Sequence, residues 1–64
     1  MYKNQMRRIR ISKNMTLEKL SEITGISSGY LCHLEKGSRK NPSMHVMELI
    51  ANGLGVTLAE LFYE

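Results

Sequence analysis

The segment GISSGYLCHLEKG, Gly25 to Gly37, gathers the side chains with the widest chemical range in the chain: Ser27, Ser28, Cys32 and His33. A thiol beside an imidazole can be a nucleophile with its base, and a cysteine and a histidine can share a metal ion. Spacing argues against both. Cys32 and His33 are consecutive, so on a helix they project about 100° apart and do not converge on one ion or one reacting atom. Tetrahedral zinc asks for four ligands, whereas the chain has one cysteine and two histidines, the second being the distant His45. A Cys–His pair also needs an orienting third group and an oxyanion hole inside a pocket. No such set is visible, so the expectation is no metal, no cofactor and no enzyme.

The same residues make better sense as a surface. On a helix, Ser27, Tyr30, Leu31 and Leu34 fall at i, i+3, i+4 and i+7 and form a core-facing or capping stripe. Ser28, Gly29, Cys32, His33 and Lys36 take the opposite side, small and polar at its start and basic at its end. Small residues let a helix approach a partner closely, and helix N-terminal amides favour anions such as phosphate. Cys32 as a redox sensor on this face is the sharper reading; a small residue that fits a groove is the simpler one.

Stepping outward, punctuation divides the chain into five short helices and the expected fold class is all-α. The first runs from about Lys3 to Lys13, with Met6, Ile9 and Lys13 on one face, Tyr2 leading in, and Asn14 as a left-handed terminator. Thr16 caps a second helix, Leu17 to Thr24, on which Leu17, Leu20 and Ile23 face broadly one way. Gly25 ends it, Ser27 caps the third helix, and Gly37 ends that. Pro42 stops the intervening loop and Ser43 caps a fourth helix, Met44 to Leu54, with Met47, Ile50, Ala51 and Leu54 inward. Gly55 terminates it, and Thr57 with Glu60 form a capping box for a last helix that packs Leu58, Leu61 and Phe62.

The totals bound the rest. The chain has 64 residues, read as one domain over 1–64. Such a size supports one small core and no deep, dry active site. No apolar run approaches a membrane span, and the N-terminal MYKNQMRRIR lacks the apolar region of a signal peptide. A single cysteine makes no internal disulfide, which points to a reducing cytoplasm. Charge is divided: residues 1–40 hold all nine Lys and Arg against three acids, a net +6, and residues 41–64 hold three acids and no base, a net −3. A polyanion partner is expected on the basic part, with the acidic third facing away.

Two short helices joined by a tight glycine turn make a helix-turn-helix, with a core of about residues 16–36. From Arg8 to Phe62 the chain resembles the phage-repressor and Cro, or Xre-type, helix-turn-helix domains. The likeness is carried by Arg10, MTLEKLSEITGIS, YLCHLEKG, RKNPS, LIANGLGV and LAELF in that order. It implies a compact five-helix, lambda-repressor-like domain whose second motif helix enters the DNA major groove. It further implies base contacts from Ser27, Ser28, Gly29, Cys32 and His33. Phosphate contacts are implied for Thr16, Leu17, Tyr30, Lys36, Ser38, Arg39, Lys40 and Asn41. At position 17 the family often has glutamine; with Leu17, backbone amides would replace that side-chain contact. Ser21 fills a place where the family wants a small residue, and Arg10 with Glu35 match a pair bridging the first and third helices. That pair is expected to be structural.

The function implied is a sequence-specific regulator of transcription that binds double-stranded DNA, expected to repress and to work as a homodimer at least on DNA. The expected dimer surface is the acidic third, around Leu49, Leu54, Phe62 and Tyr63. A protein-interaction module on the same fold, an antitoxin or adaptor, is the alternative; it would expose a contiguous apolar patch.

Overall fold

A computed structural model describes residues 5–37 and 42–62. Those residues form five α-helices: α1 (Met6–Ser12), α2 (Leu17–Thr24), α3 (Ser28–Lys36), α4 (Met44–Leu54) and α5 (Leu58–Phe62). No strand occurs among the described residues. The radius of gyration of 10.3 Å is that of a close-packed bundle.

Local chemistry sets the helix ends. Thr16, Ser27 and Ser43 each accept, through the side-chain oxygen, the backbone N–H three residues on, which satisfies one otherwise orphaned donor per helix. Asn14 takes φ 55° after α1, as the sequence suggests, and Gly25, Gly37 and Gly55 close α2, α3 and α4 in the left-handed region. The capping box forms in both directions. Thr57 N–H donates to Glu60 Oε1 at 2.9 Å, and Glu60 N–H donates to Thr57 Oγ1 at 3.1 Å. Those bonds to Thr57, main chain first, hold the exposed Glu60 carboxyl below its ordinary value of 4.5.

The core is Met6, Ile9, Leu20, Leu31, Leu34, Ile50, Ala51, Leu54 and Leu61, drawn from all five helices. α2 is the hub: it packs on both α3 and α4, while α5 closes the bundle against α4 and α1. Gln5 N–H donates to Leu61 O at 2.8 Å, which ties the entry of α1 to the end of α5.

Four details depart from the sequence reading. α1 begins at Met6 rather than near Lys3: Gln5, at φ −97° and ψ 8°, is its N-cap, and its N–H donates to Leu61 O of α5. Lys13 is exposed and stands at the C-cap, off the core face. On α2, Thr24 is buried in the place expected for Ile23, which is 48% exposed. Leu20 and Thr24 are four apart, and the Thr24 hydroxyl donates to Leu20 O at 2.8 Å, so its polarity is satisfied inside the core. Leu54 is 2% exposed and belongs to the monomer core, so it cannot line a dimer surface. Lys3, Tyr2, the side chain of Phe62, and Tyr63 lie outside the described residues.

Candidate functional site

The turn between α2 and α3 is held by side chains of α2. Gly25 N–H donates to Ser21 O at 2.8 Å, ending the helix. Ser21 Oγ then donates to Ile26 O at 2.6 Å, and Ile26 N–H donates to Thr24 Oγ1 at 3.2 Å. Both main-chain polar groups of Ile26 are therefore bonded to α2, and Ile26 packs against the core. The sequence reading found Ser21 as a small residue and missed its hydroxyl. Ser21 and Thr24 flanking the turn glycine were the available signal, since such side chains bond to nearby backbone.

α3 is anchored on one side. Leu31 and Leu34 are fully buried and Tyr30 is half-buried against the core. At its C-terminal end Glu35 meets a planar fork from α1. Arg10 Nε donates to Glu35 Oε2 at 2.6 Å and Nη2 donates to Oε1 at 3.2 Å. The third guanidinium nitrogen donates to Met15 O at 2.6 Å. The two side chains are only 12% and 5% exposed. Hydrogen bonding to Glu35, reinforced by its charge, raises Arg10 above the ordinary arginine value against the opposing cost of burial. The fork thus fixes the α3 end to α1 and to the α1–α2 turn in one contact.

The other side of α3 carries the residues singled out for base contact. Gly29 and His33 are exposed, Ser28 and Cys32 are half-exposed, and Lys36 is exposed in the last turn. None of Ser28, Gly29, Cys32, His33 or Lys36 contributes to the buried core. Ser27 is exposed, with its Oγ accepting Tyr30 N–H at 3.2 Å. The structure therefore brings Ser28, Gly29, Cys32, His33 and Lys36 onto the outward part of one helix, with Ser27 exposed at its N-cap.

The phosphate candidates divide. Thr16 is exposed at the α2 N-cap, its Oγ1 accepting Lys19 N–H at 3.0 Å. Leu17 is half-buried and packs against the core, and its apolar side chain offers a phosphate no hydrogen bond, which leaves its main-chain N–H. At the first position of a helix that N–H has no partner within the helix. Lys19 lies 4.0 Å from Glu22 in an exposed pair of little energetic weight. Ser38, Arg39, Lys40 and Asn41 lie outside the described residues. Among the described residues no cluster of three His, Cys, Asp or Glu side chains could hold a metal ion, and no helix is long and apolar enough to cross a membrane.

Comparison with known proteins places this geometry. A family model described as helix-turn-helix matches residues 6–61. The chain is 39% identical over 54 residues to the HTH-type transcriptional regulator y4dJ of Sinorhizobium fredii, covering 84% of this chain and 69% of that protein. Its fold is similar to the crystal structure of the clp gene regulator ClgR from C. glutamicum. The TM-score is 0.79 at 33% identity, over 86% of this chain and 70% of the other.

Proposed function

We propose that this chain, which belongs to the helix-turn-helix family of DNA-binding transcriptional regulators, recognises specific duplex sequences by placing α3 in the major groove and represses transcription from them. The observation that carries the reading is the division of α3. Leu31, Leu34 and Glu35 tie it to the bundle, while Ser28, Gly29, Cys32 and His33 take no part in the buried core or in the Arg10–Glu35 fork. A major groove about 12 Å wide admits one helix, and the preceding helix then crosses the backbone. The α2 N-terminus, with Thr16 and the Leu17 N–H, sits where a phosphate oxygen would be accepted. Lys36, Ser38, Arg39, Lys40 and Asn41 supply the next contacts along the backbone.

Base readout by this face is sparse. Ser28 donates or accepts and so discriminates weakly, and Cys32 suits a thymine methyl. His33 alone offers a long, definite donor for guanine N7 or O6, in a single rather than a forked contact. Phosphate contacts therefore dominate affinity, and duplex shape supplies part of the specificity. A homodimer on paired half-sites about one helical turn apart supplies the remainder. With Leu54 in the core, the dimer surface is drawn from the half-buried Leu49 and from Phe62 and Tyr63. The reading sets the protein on DNA in the cytoplasm and assigns it no catalytic step and no cofactor. A protein-docking role gains little: among the described residues, the large exposed apolar side chains Ile11, Ile23 and Met44 sit on three different helices.

Fluorescence anisotropy on duplexes selected from random DNA tests this. If each monomer neutralises about four phosphates, log K falls with log salt at a slope near about −3.6, and near about −7 for a dimer. Reversing Arg39 and Lys40 to glutamate lowers affinity for all duplexes alike and reduces that slope by about 2 per monomer. A flat salt response, or unchanged binding by the reversed variant, removes the DNA reading; a selection that yields no preferred sequence removes its specific form.

A further inference from the structure

The chain has five glycines, and the fold itself accounts for four of them. Gly25, Gly37 and Gly55 hold φ of +77°, +80° and +72°, a region costly for any side chain. Gly53 lies where α4 crosses α2: a Cβ there would stand 2.8 Å from Thr24 Cγ2 and 3.2 Å from Leu20 Cδ1. Gly29 has neither reason. Its backbone is helical, it is exposed, and a Cβ built on it meets no heavy atom within 4 Å. Glycine at a helical position that alanine could occupy without strain only enlarges the entropy lost on folding. Nothing inside the chain asks for it.

We infer that Gly29 is the point where α3 comes closest to the duplex, and that its missing Cβ sets how deeply the helix is seated in the groove. The inference rests on the DNA-binding reading above. Gly29 precedes Cys32 and His33 by three and four residues, so the three lie on one side of α3. The neighbouring readers are short: Ser28 and Cys32 each carry a single polar atom beyond Cβ. A Cβ at position 29 would hold the helix out by up to one carbon–carbon bond, about 1.5 Å. The useful range of a hydrogen bond is narrower than that, about 2.7–3.2 Å. A helix equipped with short readers thus works only if it is seated deeply, and the bare Cα at Gly29 permits that seating. What meets this Cα is an apolar surface of the duplex, a thymine methyl or a deoxyribose. The contact is one of van der Waals fit, so it needs no polar partner on the protein.

The test is Gly29→Ala in the full chain, measured by thermal melting and by equilibrium binding to a selected duplex and a random one. Melting should rise by about 2–8 °C, because the new methyl enters open space on a helical backbone. Binding to the selected duplex should weaken about tenfold, while binding to the random duplex, held by phosphate contacts, should change little. Gly29→Ser should weaken specific binding at least as much. Replacing thymines by uracil one at a time assigns the contact. One sensitive position in the wild type, lost in Gly29→Ala, marks a thymine methyl, and no sensitive position marks the sugar. Equal or tighter binding of the selected duplex by Gly29→Ala overturns the inference, as does a fall in melting temperature. If the wild-type chain itself fails to prefer any duplex, the DNA reading has failed first and the inference goes with it.

Discussion

Arg10→Met isolates the contact that holds α3 in place. The substitution keeps a long apolar stem and removes three donated hydrogen bonds, two to Glu35 and one to Met15 O. Glu35 then remains with its side chain 5% exposed and without its Arg10 partner. Removing one member of a buried ion pair costs about 3–5 kcal/mol, because the survivor has lost both water and partner. A chain of this length has a total stability of about 3–10 kcal/mol, so the variant stands near its unfolding threshold. The expected fall in melting temperature is about 12–40 °C at about 4–8 °C per kcal/mol. Pairing the change with Glu35→Leu removes the stranded charge. That double variant should recover most of the loss and stay about 1 kcal/mol below wild type for the Met15 carbonyl left without its donor. Circular dichroism melts of the three proteins measure the stabilities. Anisotropy with the folded double variant then asks whether Arg10 touches DNA, and an unchanged salt slope is expected. The reasoning is refuted if Arg10→Met melts within a few degrees of wild type. It is equally refuted if the folded double variant loses one unit of salt slope, since Arg10 would then be a phosphate contact.

Gly53→Ala should destabilise the chain by about 1–3 kcal/mol in a urea titration, despite alanine's better helix propensity. Its methyl would press on Thr24, a short side chain fixed by its bond to Leu20 O, which cannot swing away. Glu60→Gln should flatten the acid limb of the stability profile. The Glu60 carboxyl sits below 4.5 when folded, so its contribution is present above that pH and is lost as pH falls through the lowered value. Melts at stepped pH should show wild type and variant converging in acid.

Most of the helix ends could be read from single residues, because each is a local event. Thr16, Ser27 and Ser43 cap helices wherever they precede one, and three glycines and Asn14 terminate helices wherever a left-handed residue is needed. Lys13 was a local miss, since α1 ends at Ser12 before it; most of the other errors involve parts of the chain distant in sequence. α1 starts only at Met6, with the Gln5 N–H taken by Leu61 O of α5. Ile23 gives way to Thr24 because the inward sector of α2 is defined by α3 and α4 together, and Thr24 can satisfy its hydroxyl within α2. Gly53 drew no notice in the sequence, although a glycine inside a helix is a standing question whose answer here is α2. Leu54 looked equally suited to a core and to a dimer surface, since apolarity alone does not say which neighbour covers it. The outward face of α3 was legible as a set of positions, because what faces away from Leu31 and Leu34 follows from helix geometry.

The two sides of α3 answer to different constraints, and the chemistry of each follows. On the inner side every group is committed: Leu31 and Leu34 to the core, Glu35 to the Arg10 fork, and the turn before the helix to Ser21 and Thr24. A change there alters the orientation of the helix or its existence, and any effect on DNA is indirect. On the outer side Ser28, Gly29, Cys32 and His33 make no contribution to the buried core, so core packing does not set their identities. This separation lets a bundle of this size hold a rigid scaffold and a replaceable outer surface on one short helix. On the proposed DNA-binding role, the outer face is also the part that composition and periodicity describe least, because its residues answer to a partner whose atoms lie outside the chain. Gly29 is the instructive case: folding alone would favour alanine at that position, and the proposed close approach of α3 to the duplex supplies a reason for glycine that the fold lacks.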